Sequence, residues 1–302
     1  MGTESKYVVG IGEALWDILP EGKKIGGAPA NFAYHVSQFG LESRVVSAVG
    51  DDVLGEEILM NFRKKNLQCM VPKVAFPTGT VQVTVDDAGI PCYDIRQNVA
   101  WDNIPFTEEL RRLAGRTCAV CFGSLAQRSE VSRNTVRSFL EAMPDGDDIY
   151  RVFDINLRQD FYTQETVRDS LDRCNILKIN DEELDIVGWM FGYPGHDAQG
   201  NCRKLLETFG LKMLILTCGV NGSHVFTRDS VSFRATPKVS VADTVGAGDS
   251  FTAAFISALL KGKTVEEAHE LAVDVSAYVC TQNGAMPELP DTLIRRTACC
   301  HA

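Results

Sequence analysis

Asp243-Thr244-Val245-Gly246-Ala247-Gly248-Asp249-Ser250-Phe251 is a turn of small residues that runs straight into an amphipathic segment. Phe251, Ala254, Phe255, Ala258 and Leu259 recur at i, i+3, i+4, i+7 and i+8, the period of one buried helical face, and Gly262 supplies the stop. The turn is therefore expected at a helix N-terminus, where the N–H groups of Gly246, Ala247 and Gly248 lack intrahelical partners and carry almost no side-chain bulk. Such a turn can close on an anion. Asp249 stands at its edge, in the positive end of the helix dipole, which predicts a carboxylate that stays ionised at neutral pH and can orient a hydroxyl and take its proton. The same residues also fit a plain cap and tight turn, since Asp is a favoured N-cap.

Near the start of the chain, Tyr7-Val8-Val9-Gly10-Ile11-Gly12 reads as a short apolar strand. Leu15 stands where a dinucleotide fingerprint needs its third glycine, which argues against a Rossmann cofactor. Asp17 falls just beyond the strand, where open α/β sheets hold ligands, and a turn role fits it equally. Gly26-Gly27-Ala28-Pro29-Ala30-Asn31 opens the next helix, with Phe32, Val36 and Phe39 inward and Gly40 as its stop. The paired glycines allow a ligand close to the backbone, and Asn31 offers a donor and an acceptor together, as vicinal hydroxyls require.

After a strand at 45–49 comes the turn Gly50-Asp51-Asp52-Val53-Leu54-Gly55, expected to be structural. Thr80-Val81-Gln82-Val83-Thr84-Val85 alternates as a half-exposed strand, Asp87-Ala88-Gly89 turns it, and Tyr93-Asp94-Ile95-Arg96 leads towards Trp101. A buried strand at 118–122 ends in Gly123-Ser124-Leu125-Ala126-Gln127-Arg128. Asp154, Asn156 and Arg158 are spaced by two and would share one face of a strand. Asn180-Asp181-Glu182-Glu183 follows another apolar run as a capping box. Thr217-Cys218-Gly219-Val220-Asn221-Gly222 ends the next, either as a ligand loop or as a plain hairpin. No Walker A motif is present: the nearest approach, 257–264, has Ser257 where glycine is required.

The turns at both ends resemble the GGxxAN and DTxGAGD signatures of the ribokinase-like (PfkB) carbohydrate kinases, over roughly residues 7 to 291. The resemblance implies one catalytic domain spanning 1–302, an α/β fold with a mainly parallel sheet and helices on both faces, and a small β lid from about 16–26 and 76–101. By the same resemblance Asp249 is the base, and the Gly246, Ala247 and Gly248 amides with Arg158 stabilise the transferring phosphoryl group. Asp17, Gly26, Gly27 and Asn31 hold the sugar, while Asn180, Thr217, Gly219 and Gly222 approach ATP. Glu183 orders Mg2+ through water, and Asp243 and Gly284 border a K+ site. The stretches GGAPANFAYH, GSLAQR and Trp101-Asp102 resemble bacterial fructokinases, making fructose the first expectation. The alternatives are ribose, 2-keto-3-deoxygluconate, a nucleoside, or a silent sugar-binding regulator.

Lys plus Arg total 30 against 40 for Asp plus Glu, a net charge of −10, and no basic run is present. Nucleic acid and anionic membranes are therefore not expected partners. The ten cysteines are scattered, and no signal-peptide pattern opens the chain, so free thiols and a cytoplasmic location are expected. Cys118 and Cys121 form an isolated CxxC inside an apolar run, and Cys299-Cys300-His301-Ala302 reads as an exposed tail. Exposed lid strands predict a homodimer.

Overall fold

Short runs of branched aliphatic residues build the sheet, as in Tyr7–Ile11 (YVVGI), Thr117–Phe122 (TCAVCF), Ile176–Asn180 (ILKIN) and Met213–Thr217 (MLILT). The computed structural model describes residues 6–19, 22–85, 91–193 and 197–298. The Asp87-Ala88-Gly89 turn and the Cys299-Cys300 tail lie outside these. The main sheet runs in the order Val231–Arg234, Ser223–Thr227, Met213–Thr217, Ile176–Asn180, Tyr150–Asp154, Thr117–Phe122, Tyr7–Ile11, Ser43–Val46, Cys69–Met70. Neighbours are parallel except at the hairpins made by Met213–Thr217, Ser223–Thr227 and Val231–Arg234. Consecutive residues of Thr117–Phe122 are all buried, so both faces of the sheet are covered.

The chain steps outward from Tyr7–Ile11 through Ser43–Val46 to Cys69–Met70, then returns to the opposite side at Thr117–Phe122. Strand order thus reverses beside Tyr7–Ile11, the kind of point at which open α/β sheets hold ligands. A second sheet runs in the order Gly22–Gly26, Leu15–Leu19, Gly79–Val85, Pro91–Ile95. It branches off after Tyr7–Ile11 ends, and its strand Leu15–Leu19 carries Asp17.

Helix Ala247–Leu260 packs against helices Ala28–Gln38 and Val265–Cys280. The sequence predicts one buried face, but every residue from Ser250 to Ala258 is buried. Small residues such as Ser250, Ala253 and Ser257 fill what would be the solvent face, allowing both helices to close on it. This packing sets the start of Ala28–Gln38 beside the start of Ala247–Leu260. Asp52 caps Val53–Lys64 through the Gly55 amide at 2.8 Å and also accepts from the Thr78 amide at 2.8 Å, tying this turn to the base of the second sheet.

Candidate active site

Gly246 begins its helix in the left-handed region, with φ 78°. A Cβ there would lie 2.7 Å from the Ala285 Cβ and 2.8 Å from its carbonyl oxygen, so glycine is required on both counts. The Ala247 amide, expected to be open, closes the turn on the Thr244 carbonyl at 3.3 Å instead. The N–H groups of Gly246 and Gly248 meet no acceptor among the described residues, and no side chain caps the helix.

Asp249 does not cap this helix; Gly246 occupies that position. Its Oδ2 instead accepts from Asn31 Nδ2 at 2.8 Å. Burial above all, with the carboxylates of Asp154 and Glu13, pushes its pKa up to about 7, against the pull of Asn31 and Lys178. This corrects the expectation of a carboxylate fully ionised at neutral pH: desolvation among like charges outweighs the first-turn dipole.

Beneath the turn, Lys178 Nζ donates to both oxygens of Asp154 at 2.9 Å, and Thr252 Oγ1 donates to Asp154 Oδ2 at 3.1 Å. A Cβ on Gly248 would lie 3.1 Å from that ammonium. Burial disfavours the Lys178 charge, but Asp154, Asp249 and Glu183 overcome this and its pKa is raised. Sequence reasoning missed Lys178. Its signal was a single charge inside Ile176-Leu177-Lys178-Ile179, a run that otherwise has every reason to be apolar.

Asp154, Asn156 and Arg158 do not share a strand face. Strand Tyr150–Asp154 ends at Asp154, and Asn156 and Gln159 turn left-handed with φ 44° and 49°. Asn tolerates that conformation, which alternation in the sequence could not reveal. Arg158 is exposed, donates to the Leu157 carbonyl at 3.0 Å, and acts electrostatically on Glu13.

Glu13, given no role by the sequence, is buried; its Oε1 accepts from the Ala28 amide at 3.3 Å and its Oε2 has no partner among the described residues. Burial first, and Asp154, raise its pKa against nearby amides and Arg158. A Cβ on Gly27 would lie 2.4 Å from the Glu13 carbonyl oxygen, and one on Gly26 would lie 2.4 Å from Asp17 Oδ2. The Cβ positions that the paired glycines leave empty are thus taken by the protein's own atoms. Asp17 lies mid-strand opposite Lys24, and burial, offset by that lysine, raises its pKa to about 6.

Lys24 Nζ also lies 3.5 Å from Asp243 Oδ2. Asp243 accepts from the Val245 and Gly284 amides at 3.1 and 3.2 Å. Burial works to raise its pKa, but those amides and Lys24 win and hold it below the usual carboxylate range.

Asn180 and Glu183 form the expected capping box at 2.8 and 3.0 Å, and Glu183 also accepts from the Leu157 amide at 2.9 Å. Asn180 pairs in register with Thr217. Gly219 and Gly222 follow with φ 51° and 99°, and no side-chain hydrogen bond joins this loop to the Asp249 cluster among the described residues. Cys118 and Cys121 are buried free thiols, and no group of three metal-ligating side chains occurs among the described residues. No helix there is long and apolar enough to cross a membrane.

A parallel sheet whose strand order reverses, open amides and a carboxylate beside them belong to an α/β phosphotransferase with the ribokinase-like fold, acting on a sugar hydroxyl. The chain belongs to the pfkB family of carbohydrate kinases, whose model matches residues 21–292. It is 31% identical to a fructokinase of Klebsiella pneumoniae, covering 93% of this chain and 95% of that one. It is 30% identical to an ATP-dependent 6-phosphofructokinase of Thermoanaerobacterium thermosaccharolyticum, over 95% and 92% of the two chains. The crystal structure of an uncharacterized sugar kinase, PH1459 from Pyrococcus horikoshii, in complex with ATP superposes with TM-score 0.77 at 25% identity, covering 96% of this chain and 99% of that one. The family and fold expected from the sequence hold.

Proposed function

We propose that this chain is an ATP-dependent fructokinase that phosphorylates the 6-hydroxyl of D-fructose. The observation that carries the reading is Asp249, held 2.8 Å from Asn31 beside the unpartnered amides of Gly246 and Gly248. Asp249 takes the hydroxyl proton as the sugar oxygen bonds to phosphorus and the bond from phosphorus to the leaving ADP oxygen breaks. The two amides, with Ala247 shaping the turn and Arg158 swinging in from solvent, meet the charge on the transferring group. ATP supplies the phosphoryl group and Mg2+ neutralises its phosphates. Asn180, Thr217, Gly219 and Gly222 line the nucleotide's approach.

The residues fit an Mg2+ carried by phosphates and water. Both Glu183 oxygens already accept an amide, leaving one lone pair each for a bridging water. Asp243 and Gly284 are the groups that would border K+, where Lys24 now supplies positive charge. Asp17, Gly26, Gly27 and Asn31 bind the sugar, and the second sheet closes over it as a lid that excludes water. A second copy of the chain covering the lid's edge strand gives a homodimer.

The fructokinase relative supports fructose. So does the chemistry of Asp17 and Asn31, a carboxylate and an amide that suit hydroxyls and would repel or ignore a second phosphate. The test is ATP-dependent phosphorylation of fructose, fructose 6-phosphate, ribose, 2-keto-3-deoxygluconate and adenosine. Turnover highest on fructose is expected; preference for another acceptor overturns the substrate, and no turnover on any overturns the reaction.

A further inference from the structure

His35 takes no part in the chemistry above, yet it is wholly inaccessible to solvent. It lies one helical turn beyond Asn31 in Ala28–Gln38, and Gln38 follows three residues later, so the three share one helical face. Each reaches a different part of the C-terminal segment. Asn31 donates to Asp249 at 2.8 Å. His35 Nε2 donates to the Ala285 carbonyl at 2.9 Å. Gln38 donates to the Pro287 carbonyl at 3.2 Å and accepts from the Leu289 amide at 2.7 Å.

A carbonyl only accepts, so Nε2 of His35 carries the proton, leaving Nδ1 to accept from Gln38 Nε2 at 3.2 Å. Burial foremost, aided by Lys65 and opposed by the Ala285 bond, lowers the His35 pKa to about 4, so this neutral tautomer persists at physiological pH. Ala285 is the residue against which Gly246 packs; the carbonyl gripped by His35 lies 2.8 Å from where a Gly246 Cβ would be. From the other side, Asp243 holds the Gly284 amide at 3.2 Å.

We propose that His35 is a positioning residue: it fixes Ala285, and through it Gly246, so that the amide turn stays in register with Asn31 and Asp249. The helix that offers Asn31 to the sugar thereby also holds the turn that meets the phosphoryl group. The kinetic consequence rests on the kinase reading; the structural one does not.

The test compares His35→Asn with His35→Gln. Gln places an amide nitrogen where Nε2 stands, while Asn is too short to reach Ala285. In His35→Asn, kcat falls about 10- to 30-fold with sugar KM within about twofold, whereas His35→Gln stays within about threefold of wild type. Affinity for ADP with aluminium fluoride, a planar phosphoryl mimic, falls in His35→Asn by the same factor as kcat, and ADP alone binds unchanged. Hydrogen–deuterium exchange at Ala247 and Ser250, whose amides bond to the Thr244 and Gly246 carbonyls at 3.3 and 2.9 Å, accelerates in His35→Asn and not in His35→Gln. Wild-type kcat and exchange in His35→Asn, or equal losses in both variants, overturn the proposal. Should His35→Asn not fold, Gln38→Leu reads the same exchange, and unchanged protection of the turn there is equally fatal. A wild-type protein without sugar turnover refutes the kinase reading, and exchange still decides the role of His35.

Discussion

Two glycine turns open two helices that pack side by side, and they use their N-termini in opposite ways. At Gly27 the protein closes the helix end itself: the buried Glu13 carboxylate takes the Ala28 amide at 3.3 Å, and the Glu13 carbonyl fills the space of the missing Cβ. At Gly246 the space of the missing Cβ is filled by Ala285, but no carboxylate among the described residues occupies the amides of Gly246 and Gly248. The first helix end is closed from within, ahead of Asn31; the amides of the second stay open among the described residues. A glycine-rich helix start therefore becomes an anion site only where the fold withholds the internal cap.

The contrast breaks most sharply at Asp249. Asp249→Asn keeps the Asn31 contact geometry but cannot accept a proton, and kcat falls on the order of 10^3-fold in a coupled ADP-release assay. Next come the two glycines. Gly246→Ala forces a Cβ into Ala285 and displaces the open amides, costing about 10^2-fold in kcat with sugar KM little changed. Gly27→Ala meets the Glu13 carbonyl at 2.4 Å with φ 122°, so its loss is one of stability, about 1–3 kcal/mol by thermal unfolding, with a raised sugar KM. If both substitutions gave the same kinetic signature, the two turns would not differ as described.

Smaller effects sharpen the same comparison. Glu13 adds to the rise of the Asp249 pKa, so Glu13→Gln moves the acid limb of the rate profile to lower pH while keeping an oxygen for Ala28. The smallest effect is on stability. The Asp249 pKa rises from 3.8 to about 7, so the native state holds that proton more tightly than the unfolded chain and loses stability as pH climbs through this window. At about pH 8, Asp249→Asn relieves that charge and melts roughly a few degrees above wild type, stability gained where activity is lost.

The sequence made the main sheet legible because apolar runs such as Cys118-Ala119-Val120-Cys121-Phe122 have one sensible place in an α/β fold. The glycine turns were legible too, as helix starts. What they do was not, since Glu13 capping Ala28 and Ala285 backing Gly246 join residues far apart in the chain. Lys178 and His35 were hidden for a related reason: a buried ion pair with Asp154 and a buried bond to Ala285 leave no local pattern, only a polar residue among apolar ones. The pattern at Asp154, Asn156 and Arg158 misled because alternation continues past the point where the strand stops at Asp154. The ionisation of Asp249 was misjudged because the dipole of its own helix is a local property and the crowd of carboxylates around it is not.

The most direct measurement is kcat/KM for the sugar against pH, in wild type and Asp249→Asn. A base of pKa about 7 predicts a one-proton acid limb centred near that value, with activity rising as Asp249 loses its proton, and no such limb in the residual activity of Asp249→Asn. A wild-type profile flat from about pH 5.5 to 8, or the same limb in both proteins, would contradict Asp249 as the group that takes the proton beside the open turn.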